Sequence, residues 1–351
     1  MKTINAALCS FGMSGKLFHA PFISCHPGIN LYAIWERSKD IVKHHYPETK
    51  IYRTYEQLID DPLIDLVVVN APSYTHYKYA MQALNASKNV IVEKPFTATL
   101  SQAKELTALA AEKKVKLSVF QNRRWDSDFK TVKSIYESGI LGEILEAEFH
   151  YDRFNQALSP KAHKETPGPA VGVVYDLGPH LIDQALSLFG MPDKVFADIT
   201  KTRPGSQVDD YFEILLFYPQ MRVRLKSGYH YREPIPSFSL YGSLGTFQKA
   251  RADVQETDLL VGKKPDSLDW GMEADADQGF LHTEKEGLVI KEHIPSLQGN
   301  YMEYYDLVYK SIISNEDLPV TGFDGVNSTA VIEAAYKSAG EQKIIWISEV
   351  I

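Results

Sequence analysis

The sequence predicts an α/β protein of two domains, with a parallel, helix-covered sheet first and an antiparallel or mixed sheet after it. Three observations carry this reading. Short apolar strands alternate with amphipathic helices through the first third, the rhythm changes after about residue 122, and longer strands then follow one another between residues 194 and 247. Parallel strands need a crossover, usually a helix, whereas strands in direct succession pair as antiparallel neighbours. A chain of 351 residues accommodates one large unit or two ordinary ones, and the change of rhythm divides it into 1–122 and 123–351.

The first part supplies strand candidates INAALCSF (4–11), LYAIW (31–35), DLVVVNAP (65–72), NVIVEKP (89–95) and VKLSVF (115–120). They are too uniformly apolar for a sheet with one wet face, so burial on both sides is expected. Between them, YTHYKYAMQALNAS (74–87) and SQAKELTALAAEKK (101–114) have helical periodicity. Further on, a charged helix (124–139) precedes a long strand (143–154), a Pro/Gly-rich loop (159–173) and a helix starting near Tyr175. Strands are expected within 209–218, 221–231 and 237–243, and late helices at 303–315 and 325–342. Segment 251–300 has weak periodicity and reads as loops around a site or interface.

Composition narrows the function classes. With 44% hydrophobic and 23% charged residues, the chain leaves little room for extensive disorder. The 37 Lys and Arg against 45 Asp and Glu give a formal charge of -8, which argues against a nucleic-acid binder with a broadly basic surface. Cys9 and Cys25 make no disulfide scaffold, and no clustered Cys/His spacing points to a metal. The opening MKTINAALCSFGM has too short an apolar run for a signal peptide, and no later run reaches the roughly 18 apolar residues of a membrane span. A cytoplasmic protein without a membrane partner is expected.

The first strand ends in SFGMSG (10–15) before a helix expected near Lys16. In the dinucleotide fingerprint G-x-G-x-x-G, Ser10 takes the first glycine position, and Gly12 and Gly15 take the others. Gly12 lets backbone approach a pyrophosphate, Gly15 lets helix pack on sheet, and the amides of Phe11, Gly12, Met13, Ser14 and Gly15 are candidates to hold phosphate. The competing reading is a purely structural strand-turn-helix. After the second strand, Glu36 suits the ribose diol of NAD and Arg37 suits the extra phosphate of NADP, so the pair points both ways. Ligand loops gather at the carboxyl ends of parallel strands, which adds NAPSYTH (70–76) with Ala71, and EKP (93–95) with Lys94, to the set. A surface lysine paired with Glu93 is the plainer alternative.

The second constellation is YDLGPHLID (175–183). Pro179 is acceptable in a helix's first turn, which puts the helix start near Gly178 and Asp176 in the turn before it. A neutral His180 there can take a hydroxyl proton while hydride leaves the same carbon, with Asp176 orienting it or binding a second hydroxyl and Lys94 stabilising alkoxide charge. A locally paired His/Asp helix is the alternative, and a metal site lacks a fourth ligand beside Asp176, His180 and Asp183. Arg123 is a candidate for holding phosphate or substrate, or for an ion pair. His150, Asp152 and Arg153 alternate with Phe149, Tyr151 and Phe154 as a wet and a packed face. Trp270 suits either ligand stacking or covering an apolar edge.

In order, SFGMSGKLFHAPF, NAPSYTHYKYA, EKPFT, FQNRRWDSDF and YDLGPHLIDQALSLFG strongly resemble the Gfo/Idh/MocA oxidoreductase family, above all its NADP-dependent scyllo-inositol dehydrogenase branch. The resemblance covers nearly all of the chain. It implies an N-terminal Rossmann fold that binds NAD(P) and a C-terminal α/β domain with a large, mostly antiparallel sheet that serves substrate binding and oligomer formation, as a homodimer or homotetramer. It also implies that Lys94 lies near nicotinamide and substrate, Asp176 contacts substrate and His180 accepts the proton. Asp183 matches a later acidic position, while Pro72 and His76 match the loop lining the cofactor cleft and Glu93 precedes the catalytic lysine. The implied activity is oxidation of a secondary alcohol on a cyclitol or sugar, or reduction of the ketone, with NADP favoured over NAD. Two alternatives remain open: a redox-neutral, NAD-dependent sugar-transforming enzyme, and a noncatalytic NAD(P)-responsive regulator.

Overall fold

The computed structural model describes residues 2–233 and 235–351. The chain forms two compact units. The first holds the chain up to Asn122 together with two returning segments, Gln255–Trp270 and Asn300–Val326, and the second holds Arg123–Val254, Gly271–Gly299 and Asn327–Ile351. A single cut at 122 thus assigned both returning segments to the C-terminal part, whereas their side chains pack in the first unit. The reason is aromatic: Trp270 lies 5.8 Å from Phe22, Tyr305 stacks on Phe22 at 5.7 Å, and Tyr304 meets Phe120 edge-on at 5.0 Å.

In the first unit six parallel strands run β1 (Ile4–Leu8), β2 (Ile29–Trp35), β3 (Lys50–Tyr52), β4 (Leu66–Val69), β5 (Asn89–Glu93) and β6 (Leu117–Phe120), in spatial order β3-β2-β1-β4-β5-β6. This is the Rossmann order, whose reversal beside β1 opens a crevice at the strand carboxyl ends. The helices His76–Asn85 and Leu100–Lys113 fall where periodicity placed them, the second capped by the Thr99 side chain. Sequence reading missed β3, a three-residue edge strand too short to show a pattern. The returning segment is fastened to β6, where Tyr304 donates to Ser118 Oγ (2.8 Å) and Ser118 donates to the Val320 carbonyl (2.7 Å).

The second unit is built on β7 (Ile144–Asp152), β8 (Lys194–Thr200), β9 (Tyr211–Phe217), β10 (Arg222–Gly228), β11 (Phe238–Gly242), β12 (Gly245–Lys249), β13 (Gly279–Lys285), β14 (Leu288–Ile294) and β15 (Ile345–Trp346). Their order is β14-β13-β12-β11-β7-β10-β9-β8-β15, and only the β7–β10 pair is parallel. Side chains alternate across a strand, so Ala147, Phe149 and Tyr151 of β7 enter the core while Glu148, His150 and Asp152 take the other face. The core is closed by the helix Gly178–Phe189, which buries Leu181, Ile182 and Ala185 among Phe212, Leu225 and Phe238. The β13–β14 hairpin and the helix Gln255–Leu260 occupy the stretch read as loops. That hairpin escaped detection because β14 is an edge strand with mostly exposed side chains. Among the described residues, no helix is long and apolar enough to cross a membrane.

Candidate active site

Strand β1 delivers Ser10–Gly15 to the carboxyl edge of the parallel sheet. Ser10 carries more than a small side chain: its amide donates to Asn70 Oδ1 (3.0 Å), its hydroxyl donates to the Asn70 carbonyl (2.9 Å), and Asn70 Nδ2 donates back to the Ser10 carbonyl (2.9 Å). These bonds stitch the end of β1 to the end of β4. A Cβ on Gly15 would lie 2.4 Å from the Ser10 carbonyl oxygen and 2.9 Å from Asn70 Nδ2, so only glycine fits. At Gly12 the nearest atom to such a Cβ is Ser10 Oγ at 3.8 Å, which leaves the backbone approachable. The Ser14 hydroxyl is buried with no hydrogen-bond partner among the described residues. A bare glycine backbone beside an unsatisfied hydroxyl suits a phosphate-bearing cofactor. A π-type turn, Gly15–His19, then runs into the helix Ala20–Cys25. Phe11 is buried with its ring 6.1 Å from Tyr46, so only its backbone is placed for a ligand, whereas Met13 is half-exposed.

At the end of β2 the two competing charges separate. Glu36 is 8% exposed, its Oε2 accepts from the Val42 amide (3.3 Å), and its carbonyl accepts from Arg53 (3.1 Å). Arg37 is exposed. The acidic side chain therefore closes its own loop, and the basic one faces solvent.

The other two strand-end loops are tied by His76, which is 1% exposed with Nδ1 2.8 Å from the Pro95 carbonyl and Nε2 2.9 Å from the Ala71 carbonyl. Burial pushes its imidazole below the usual range, against the pull of both carbonyls. His76 and Glu93, candidates for the cofactor in the sequence, have buried side chains that tie these loops together. Glu93 pairs with His19 (3.0 Å) and accepts from the Lys94 amide (3.1 Å). Ala71 and Lys94 are partly exposed and Pro72 is exposed.

In the second unit the helix starts at Gly178 with Pro179 in its first turn, which leaves Asp176 at the end of the short helix Val173–Asp176. His180 is 5% exposed, in the first turn of the helix, with its ring 6.4 Å from Tyr151. Asp176 lies 3.4 Å from Lys164 Nζ. Asp209, unnoticed in the sequence, holds this segment: its carbonyl accepts from the Val173 amide (2.9 Å), its carboxylate from Val174 (2.9 Å) and from Tyr336 (2.9 Å). Asp183 takes a two-pronged bond from Arg124, Nε to Oδ2 and Nη2 to Oδ1, each 2.7 Å, which makes it a strut of the helix. Arg123 pairs with Asp126 (3.2 Å) and lies over Tyr151, as do Arg153 and Arg251.

Two of the secondary candidates are buried. His150 is buried between Glu148 (3.6 Å) and Asp152 (3.5 Å). Trp270 is 2% exposed and donates to Gln255 (3.0 Å), so it covers an apolar edge. Among the described residues, no group of three or more His, Cys, Asp or Glu is placed to hold a metal ion.

Comparison with known proteins bears on both units. Residues 4–121 match the Gfo/Idh/MocA oxidoreductase family's NAD-binding Rossmann fold, and residues 133–348 match its C-terminal alpha/beta domain. The chain is 35% identical over 345 residues to the scyllo-inositol 2-dehydrogenase (NADP(+)) IolW of Bacillus subtilis, covering 98% of this chain and 96% of that protein. It is 38% identical to the uncharacterised oxidoreductase YdgJ of Escherichia coli, covering 96% of each. A crystal structure of a Bacteroides fragilis protein is 45% identical, with a TM-score of 0.90 over 98% of this chain and 100% of that one.

Gly15→Ala tests the turn. Its added methyl has to displace the Ser10 carbonyl or Asn70, so NAD(P)H affinity measured by fluorescence titration is expected to fall at least about tenfold, equivalent to roughly 1.4 kcal/mol. Wild-type affinity would mean that this turn does not hold the cofactor.

Proposed function

Because the chain belongs to the Gfo/Idh/MocA oxidoreductase family, we propose that it is an NADP-preferring dehydrogenase of a secondary alcohol on a cyclitol or sugar, working reversibly. The relative named as an NADP-dependent scyllo-inositol 2-dehydrogenase supports the cyclitol reading. The observation that carries the cofactor preference is the division of labour after β2: Glu36 is engaged by Val42, while Arg37 is exposed. Arg37 then supplies a cation for the 2′-phosphate of NADP. Phe11, Gly12, Met13, Ser14 and Gly15 hold the pyrophosphate through backbone amides and the Ser14 hydroxyl.

A bound nicotinamide supplies the hydride acceptor. The chain's own residues manage the proton and the charge. His180 takes the hydroxyl proton as general base. Lys94 stabilises the developing alkoxide. Asp176 and Arg123 bind further hydroxyls and fix which carbon is presented. Among the described residues Cys9 and Cys25 are free thiols, in keeping with a reducing cytoplasm.

The face of the nine-stranded sheet opposite the core carries Phe196 at 40% exposure with the partly buried Tyr211, Glu213, Leu215 and Arg224. A mixed aromatic and charged surface of this kind suits a second copy of the chain. A dimer or tetramer is expected in light scattering at micromolar concentration, and a monomer would remove this assignment.

Initial rates with scyllo-inositol, myo-inositol, glucose and xylose, each with NADP and NAD, test the function directly. Stoichiometric NADPH formation from a cyclitol or sugar is expected, and the NADP-over-NAD ratio should fall about tenfold in Arg37→Ala. No net nucleotide reduction with any substrate would overturn the dehydrogenase reading. Replacing His180 by Ala should lower kcat by roughly 10²–10⁴ with NADPH binding unchanged, since general-base catalysis contributes that much. An unchanged kcat would remove His180 from the proton transfer.

A further inference from the structure

Behind Lys94 lies a buried polar chain that the proposed reaction does not use. Tyr305 donates its hydroxyl proton to the Phe18 carbonyl (2.6 Å). Its oxygen is 2.8 Å from His19 Nδ1, and His19 Nε2 is 3.0 Å from Glu93 Oε1. The second oxygen of the same carboxylate, Oε2, accepts from the Lys94 backbone amide (3.1 Å). With Tyr305's one proton on the Phe18 carbonyl, the tyrosine oxygen is left to accept from His19 Nδ1, and the other ring nitrogen faces the Glu93 carboxylate.

The surroundings are dry. His19 and Tyr305 are each 0% exposed, the His19 ring lies 4.5 Å from Phe120, and Tyr305 stacks on Phe22 at 5.7 Å. A carboxylate in such a place needs a fixed partner, and burial by itself would push the Glu93 carboxyl up. The hydrogen bond and charge of His19, with Lys94 and His76 adding theirs, outweigh that and hold it below its usual range. Glu93 is thereby rigid, and rigidity passes to the one backbone amide that it grips.

We propose that His19 and Tyr305 are positioning residues for Lys94: they lock the Glu93 carboxylate, which fixes the backbone from which the Lys94 ammonium reaches the reacting alcohol. The chain joins three distant stretches, residues 18–19, 93–94 and 305, all within the first unit. This inference rests on Lys94 taking part in the reaction.

The test compares His19→Ala, His19→Gln, Tyr305→Phe and Lys94→Ala, with turnover expressed per NADPH-binding site titrated by fluorescence. Such normalisation removes any loss of folded protein, which is all that a merely structural His19 would cause. Per-site kcat in His19→Ala is expected to fall roughly 10- to 100-fold, the range for a small misplacement of a reacting group, with KM for NADP unchanged within about twofold. His19→Gln keeps an N–H for Glu93 and should recover most of that loss, and Tyr305→Phe should fall in the same direction by a smaller factor. Wild-type per-site kcat in His19→Ala, with Lys94→Ala inactive, overturns the positioning role alone. Wild-type turnover in Lys94→Ala overturns the role of Lys94 and this inference with it. Should neither His19 variant fold, Tyr305→Phe decides, because it deletes one hydroxyl from an otherwise intact ring, and an unchanged per-site kcat there overturns the proposal.

Discussion

The exchange of hydrogen bonds between Ser10 and Asn70 is the constraint on which the nucleotide side of the protein depends. Parallel strands end in loops whose backbone groups no longer have ladder partners, and unpaired groups at a sheet edge must be satisfied or they fray. Here the ends of β1 and β4 satisfy one another through an amide, a hydroxyl and a carboxamide. That bond set fixes the Ser10 carbonyl and Asn70 so close to Gly15 that no side chain fits between. The turn consequently has one conformation, with Gly12 bare. Serine in place of the first glycine strengthens the edge, since glycine has no hydroxyl to give to the Asn70 carbonyl.

The same logic repeats at successive depths. His76 spans Ala71 and Pro95, and Glu93 spans His19 and Lys94. In the second unit Asp209 holds the turn before Asp176, and Asp183 holds the helix through Arg124. Each of these side chains is buried or largely buried and spends its polar atoms on backbone or on a fixed side-chain partner. Buried groups of this kind are costly when unpaired and directional when paired, so they stiffen the positions that face a ligand.

Much of this was legible. Uniformly apolar strands alternating with amphipathic helices gave the parallel, helix-covered sheet, and the proline immediately before His180 located the helix start. Trp270, Tyr304 and Tyr305 show what was not legible. A contact between residues 22 and 305 leaves no periodic trace in either stretch, so a chain that leaves its first unit at 122 and returns at 255 and 300 reads as a simple N-to-C division. Edge strands such as β3 and β14 were missed because half-wet, short segments lack the apolar pattern on which strand recognition rests. Asn70 carried a weak signal, as the first polar residue after four buried apolar ones at a strand's carboxyl end.

Residue type and residue role also come apart at the site itself. Adjacent Glu36 and Arg37 are equivalent candidates in sequence, and only the fold shows that the glutamate is committed to the Val42 amide. The tripeptide Glu93-Lys94-Pro95 divides likewise: the glutamate side chain meets His19, the proline carbonyl meets His76, and the half-buried lysine lies between two anchored neighbours. The motif thus presents one ammonium on a backbone held from both sides. Holding the backbone rather than the long side chain leaves the ammonium free to move while limiting the volume it can search.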